Sequence, residues 1–173
     1  MDASEIISHF EVKQRWMACH VKQAQYPTAE SLAGFERYHA EETLPTPATR
    51  PSAPAHAPLT LYWVDNHPLM LQYAKLQAAQ WPDDARPDML AYFAQLALHD
   101  GVEIAEATVS LCIGTQHGET CAAAMRVDTQ ENGQPISGIY DLIAPSDDAR
   151  AQLLRAMMEA TDDNRQWVIA GQT

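Results

Sequence analysis

The sequence predicts an α/β (α+β) fold: an N-terminal helical hairpin, a proline-rich linker, and a mixed, mostly antiparallel sheet with flanking helices. Three observations support these three parts of the chain. Apolar residues recur at helical spacing before residue 43, and five prolines follow between residues 44 and 58. In several later segments apolar and polar residues alternate, which is typical of strands.

Residues 1–43 form the predicted helical arm, because Ser4 can cap a helix to about Gln25 and Thr28 can cap a second one. A hairpin of this size buries little apolar surface alone. Its stripe therefore needs a partner, which the sequence leaves open as the α/β domain, a second copy of the chain, or another protein. The candidate partner-binding residues of this stripe are Ile6, Phe10, Trp16, Met17, Phe35 and Tyr38.

Residues 44–58 form the predicted linker, because proline lacks a backbone donor and disfavours helix in the residue before it. Residues 59–173 form the predicted acidic α/β domain. Its expected elements, in order, are a strand at 59–64, a helix begun by Asn66 and Pro68, a helix from Pro87 to Gly101, a hairpin of strands at 108–114 and 119–128, a turn at Asn132-Gly133, a strand at 136–143, a helix from Ser146 to about Asp162, and a strand at 166–170.

Net charge restricts the classes of partner. The chain has 23 acidic and 11 basic residues, a net charge of −12, and residues 59–173 carry sixteen acids and six bases, a net charge of −10. A surface of this sign repels nucleic-acid phosphates and anionic lipids, so we expect no direct nucleic-acid or membrane binding. A protein with a basic surface is the favoured partner, although net charge also serves solubility alone.

No apolar run reaches eighteen residues, and the N-terminus lacks the basic and apolar regions of a signal peptide. We therefore expect a cytoplasmic protein with reduced cysteines.

The segment Ile139–Pro145, followed by a helix that contains Leu153 and Leu154, resembles the GNAT acyltransferase core over residues 59–170. The resemblance implies a truncated GNAT-like fold and an acetyl-CoA site. In that family a glycine-containing loop after the strand holds the cofactor pyrophosphate on helix N-terminal amides.

This sequence departs from the family at that loop. Residues 145–153 contain no glycine, and Asp147 and Asp148 occupy the first turn of the predicted helix, where they would repel a pyrophosphate. Beyond the strand at 166–170 we find no counterpart of the tyrosine that often serves the family as general acid, so we assign no catalytic residue and expect no cofactor.

Other candidate sites are few. The seven histidines show no metal-binding spacing, so no metal ligand is assigned. A four-residue loop at 115–118 would place Cys112 opposite Cys121, either as a redox-sensitive pair or as two packed thiols. Tyr140 and Asp141 form a polar pair within a predicted central strand, which is either a polar site or a strand end that binds a loop.

These features favour a non-catalytic protein-binding factor, regulatory or chaperone-like, that uses the arm, the acidic domain or both. Self-association through the arm is a further option. The alternative is an acyl-CoA-dependent N-acetyltransferase with an altered cofactor loop. An acidic DNA-mimic inhibitor is a minor alternative, because 20% charged residues is modest for such mimicry.

Overall fold

A computed structural model describes residues 2–22, 27–96, 107–131, 133–159 and 164–171. These residues form a mixed α/β structure of five helices and one six-stranded sheet. In chain order the elements are α1 (Ala3–Lys22), α2 (Ala29–Glu41), β1 (Thr46–Pro47), β2 (Thr60–Trp63), α3 (His67–Ala79), α4 (Arg86–Gln95), β3 (Thr108–Gln116), β4 (Glu119–Glu131), β5 (Gln134–Ile143), α5 (Asp147–Met157) and β6 (Gln166–Ile169).

The sheet has the order β1-β6-β5-β4-β3-β2. Neighbouring strands are antiparallel except β5 and β6, which run parallel and are joined through α5. Side chains alternate between the two faces: Ile113 packs in a core with α1–α4, whereas its neighbour Cys112 packs in a second core with α5.

Three of the predicted helix start signals are confirmed, whereas Ser4 is not a cap: it lies inside α1, and the Asp2 carboxylate accepts a hydrogen bond from the Glu5 N–H at 3.0 Å. Thr28, Asn66 and Ser146 each accept a hydrogen bond from a backbone N–H three residues later, at 3.0 to 3.1 Å. The predicted features that lie outside the described residues are Gln25, Tyr26, Gly101, Asn132 and the helix end at Asp162.

The proline-rich segment contains a short edge strand that the sequence does not reveal. In β1, Thr46 pairs with Ile169 and Pro47 with Val168, and the Ala48 N–H donates to the Trp167 carbonyl at 3.0 Å. Proline is tolerated here because an edge strand leaves one row of N–H groups unpaired. Two residues are too few to show an alternating pattern, so the sequence predicts an extended segment here but not its pairing with β6.

The apolar stripe of the arm packs within the same chain. Tyr92 of α4 donates its hydroxyl to the Met17 carbonyl at 3.0 Å, and Gly34 of α2 lies so close to Asp88 that a Cβ would collide with its carbonyl. Of the three possible partners of this stripe, the structure shows that it packs against the α/β part of the same chain. Of the six candidate partner-binding residues, Phe10 is partly buried. The other five are buried: Ile6, Trp16, Met17, Phe35 and Tyr38.

The β3–β4 hairpin corrects the predicted cysteine register. His117 and Gly118 both have positive φ, 54° and 80°, so two residues suffice for the turn instead of four. A register shift after Gly114 then places Cys112 opposite Ala124. Cys121 lies three residues from that position, about 10 Å along the strand, which is too far for a disulfide.

We expect no Cys112–Cys121 disulfide to form in the folded protein under oxidant. Burial raises the pKa of the Cys112 and Cys19 thiols to about 11, so both should resist a thiol reagent until the chain unfolds. Cys121, which is only partly buried, should react first. Thiol titration with and without denaturant, followed by mass spectrometry of oxidised protein, checks this. A crosslinked Cys112–Cys121 peptide from native protein would contradict the observed register.

Candidate functional site

A cluster of polar side chains lies at the carboxyl end of the parallel strands β5 and β6. The last described hydrogen bond across these strands joins the Ala170 N–H to the Ile139 carbonyl at 3.0 Å. Two residues further along β5, Asp141 has a φ of 54°, and the β4–β5 register shifts there. Because left-handed backbone is strained for a non-glycine residue, this irregularity marks a candidate functional site.

Lys13 and Glu42 form a buried ion pair in this cluster. The Lys13 Nζ lies 2.8 Å from Glu42 Oε2, and the two side chains are only 3% and 2% exposed. The ammonium also lies 4.6 Å from the ring centroid of Tyr38 and 4.8 Å from that of Tyr140. Lys13 therefore joins α1, the end of α2 and strand β5.

Asp141 is held by two of the helices that cover the sheet. The Tyr38 hydroxyl donates to Asp141 Oδ2 at 2.7 Å, and Gln77 Nε2 of α3 donates to the Asp141 backbone carbonyl, also at 2.7 Å. Desolvation raises the pKa of the Asp141 carboxyl, although Lys13 and the Tyr38 hydrogen bond oppose this effect. Burial and the nearby Asp141 charge raise the pKa of Tyr38 well above its usual range, so its phenol remains a hydrogen-bond donor.

These residues line a cleft of about 150 Å³. Among the described lining residues, the carboxylates of Glu41, Glu42 and Asp141 share the cleft with the ammonium of Lys13. This balance of charge suits a cationic group better than an anion. The volume is below the usual 300–1,000 Å³ range of a drug-sized ligand site, so the cleft has room only for a small group or a side chain.

The start of α5 is closed by its own residues. Ser146 Oγ accepts a hydrogen bond from the Ala149 N–H, and Asp147 and Asp148 occupy the first turn. These carboxylates already interact favourably with the positive end of the helix dipole. The helix start therefore lacks the glycines of a pyrophosphate-binding loop and carries two carboxylates in its first turn, which would repel a phosphate.

A second and larger cavity, of about 580 Å³, lies beside β3 where β2 ends. The Val64 N–H donates to the Leu111 carbonyl at 2.8 Å, after which the chain leaves the sheet and enters α3. β3 begins three residues before Leu111, at Thr108, so its outer edge continues past the end of β2. We call this cavity the β3-edge groove; it is lined by Trp16, Trp63, Val64, Asp65, Asn66, His67, Met70, Val109, Ser110 and Leu111.

The structure brings Tyr140 and Asp141, the pair singled out from the sequence, together with Tyr38 from the predicted arm surface. Lys13 and Glu42 are not among the candidate residues that the sequence predicts. A signal for Lys13 exists, because residues 6, 10, 13 and 17 follow helical spacing and Lys13 is the one charged residue on that stripe. Glu42 follows the end of α2 and has no comparable signal in the sequence.

The sequence matches no protein-family model, and no curated protein matches it significantly. Within the described ranges, no group of three or more histidine, cysteine or acidic side chains is placed to hold a metal ion. No helix in that part of the chain is long and apolar enough to cross a membrane.

We predict that Glu42→Gln lowers the free energy of unfolding by about 3–5 kcal/mol, because it removes the carboxylate that contacts the buried Lys13 ammonium at 2.8 Å. Adding Lys13→Met should restore part of that loss, since the pair is then removed together. Urea unfolding of the four proteins of this double-mutant cycle measures both effects.

Asp83→Asn is the matched control, because its ion pair with Arg86 is on the surface and should contribute less than about 1 kcal/mol. Independent, additive effects of the Lys13 and Glu42 substitutions would contradict the buried pair.

We predict that Asp141→Asn raises the unfolding free energy at pH 7, because asparagine keeps the acceptor for Tyr38 and tolerates left-handed backbone without burying a charge. Asp141→Val should cost about 1–3 kcal/mol through its backbone strain. The raised pKa of Asp141 sets the pH dependence of this difference. The wild type should be as stable as Asp141→Asn below the pKa that Asp141 has in the unfolded chain. It should become less stable than the variant as pH rises through the higher pKa of the folded protein. Urea unfolding from pH 3 to pH 7 measures it, and equal stabilities of wild type and Asp141→Asn at every pH would refute it.

Proposed function

We propose that this chain is a non-catalytic protein-binding factor, regulatory or chaperone-like, that binds a basic partner through its acidic α/β part. The observation that carries this proposal is the start of α5. Ser146 caps it and Asp147 and Asp148 follow, so the place where a GNAT-like core would bind the cofactor pyrophosphate is blocked by charge.

Exposed apolar side chains support a binding role. Trp63, on the terminal strand β2, is 43% exposed, and Leu71 on the following helix is also exposed. Exposed aromatic residues on a sheet edge are typical of protein interfaces. Because the apolar stripe of the arm is buried, this surface is a better candidate for contact with a partner than the arm is.

A second candidate function is an acyl-CoA-dependent N-acetyltransferase. Its support is the order of elements from β2 to β6 and the cleft at the carboxyl ends of two parallel strands, which is a common position for ligand sites in α/β folds. Its difficulty is the acid-capped helix, since Arg150 is the nearest base along the sequence and no glycine stands in residues 145–153.

Calorimetry with acetyl-CoA separates the two proposals. We expect no heat of binding at 100 µM protein and 1 mM acetyl-CoA, and the variant Asp147→Asn/Asp148→Asn serves to test whether charge alone blocks the site. Micromolar binding by the wild-type protein would favour the acyltransferase.

For the protein-binding role, in-cell crosslinking of the full chain followed by mass spectrometry should identify a recurrent basic partner. The absence of such a partner, together with acetyl-CoA binding, would reject the proposed function.

A further inference from the structure

The β3-edge groove contains a stretch of sheet edge at which the longer strand β3 continues beyond its shorter neighbour β2. β2 pairs with β3 from Thr60 to Trp63, and Val64 makes the last hydrogen bond, to Leu111. Alternate residues of a strand direct their backbone groups to the same edge. The N–H and C=O of Val109 therefore point to the side that β2 has left.

The walls of the groove are apolar with polar groups at one end. Trp16, Met70, Val109 and Leu111 supply apolar surface, and Trp63 adds an exposed indole. Asp65 is exposed and, among the described residues that line the groove, is the one carboxylate, with no lysine or arginine beside it. This combination suits an extended peptide with an apolar side chain and a neighbouring positive charge.

We propose that the β3-edge groove binds an extended segment of a partner protein, which pairs with β3 at Val109 in the place that β2 vacates. Strand addition at a free edge supplies backbone hydrogen bonds, and the pockets beside it select side chains. The expected segment places alternate apolar side chains against Met70 on one face of the sheet and Trp63 on the other, and a lysine or arginine near Asp65. This inference rests on the proposed protein-binding function and names its site and the chemistry of its partner.

The size and charge of the groove favour this occupant. About 10 Å of β3 lies between Thr108 and Leu111, which corresponds to three residues of an added strand. The volume of about 580 Å³ lies within the range of preformed ligand sites. The net charge of −10 on residues 59–173 attracts a basic segment and opposes pairing with the same edge of a second, equally acidic copy.

The experiment uses the full-length chain and a phage-displayed library of random linear dodecapeptides. We expect selected peptides to combine β-branched or aromatic residues with lysine or arginine, and to bind as synthetic peptides with micromolar Kd. Trp63→Ser should weaken that binding at least tenfold, and Asp65→Asn should weaken it and reduce its dependence on salt.

The matched control is Tyr62→Ser, because Tyr62 is as exposed as Trp63, stands next to it on β2 and does not line the groove. It should change the Kd less than twofold. Val109→Pro removes the free-edge N–H without removing a β4 hydrogen bond and should also abolish binding. Circular dichroism and thermal unfolding verify that each variant is folded, and Trp63→Ser at the surface keeps the test valid if Val109→Pro does not fold.

Three outcomes would overturn the inference: no peptide binds below 100 µM, Trp63→Ser and Tyr62→Ser act alike, or sedimentation shows a dimer that Trp63→Ser dissociates, in which case a second copy occupies the groove. If the crosslinked cellular partner is retained by Trp63→Ser, this site is rejected while the protein-binding function stands.

Discussion

A buried lysine ammonium connects the N-terminal helices to the sheet. Lys13 reaches from α1 to Glu42, just after α2, and lies over the ring of Tyr140 in β5. Removing a charge from water costs several kcal/mol, which only a close counter-ion and further polar contacts offset. The positions of α1, α2 and β5 are therefore interdependent, and a helical arm that could have been separate shares a core with the α/β part.

The same cluster places Asp141 where the parallel strands β5 and β6 end. Tyr38 and Gln77 hold this residue from α2 and α3, and its left-handed backbone and raised pKa both work against stability. Groups that are costly for folding are common at functional sites. Asp147 and Asp148, in the first turn of α5 after β5, add two further carboxylates.

The two outer edges of the sheet are covered to different extents. At one end, the proline-bearing β1 covers part of the outer edge of β6, and Arg50 donates to the Arg155 carbonyl to hold that segment against α5. At the other, β2 stops at Trp63 and leaves the outer edge of β3 beside an apolar groove. Free edges invite pairing with another chain. An acidic surface limits self-association at such an edge and is compatible with a basic partner.

The sequence by itself determined most of the helices and strands. Capping by Thr28, Asn66 and Ser146 and the alternation in β3 to β5 depend on residues close in the chain. Long-range contacts decided how these elements pack and pair. The partner of the arm, the pairing of β1 and the Lys13–Glu42–Asp141 cluster each join residues 29 to 128 positions apart. The predicted cysteine register was wrong for two local reasons, the two-residue turn at His117-Gly118 and the register shift after Gly114, since the pairings in a hairpin follow from its turn and its bulges.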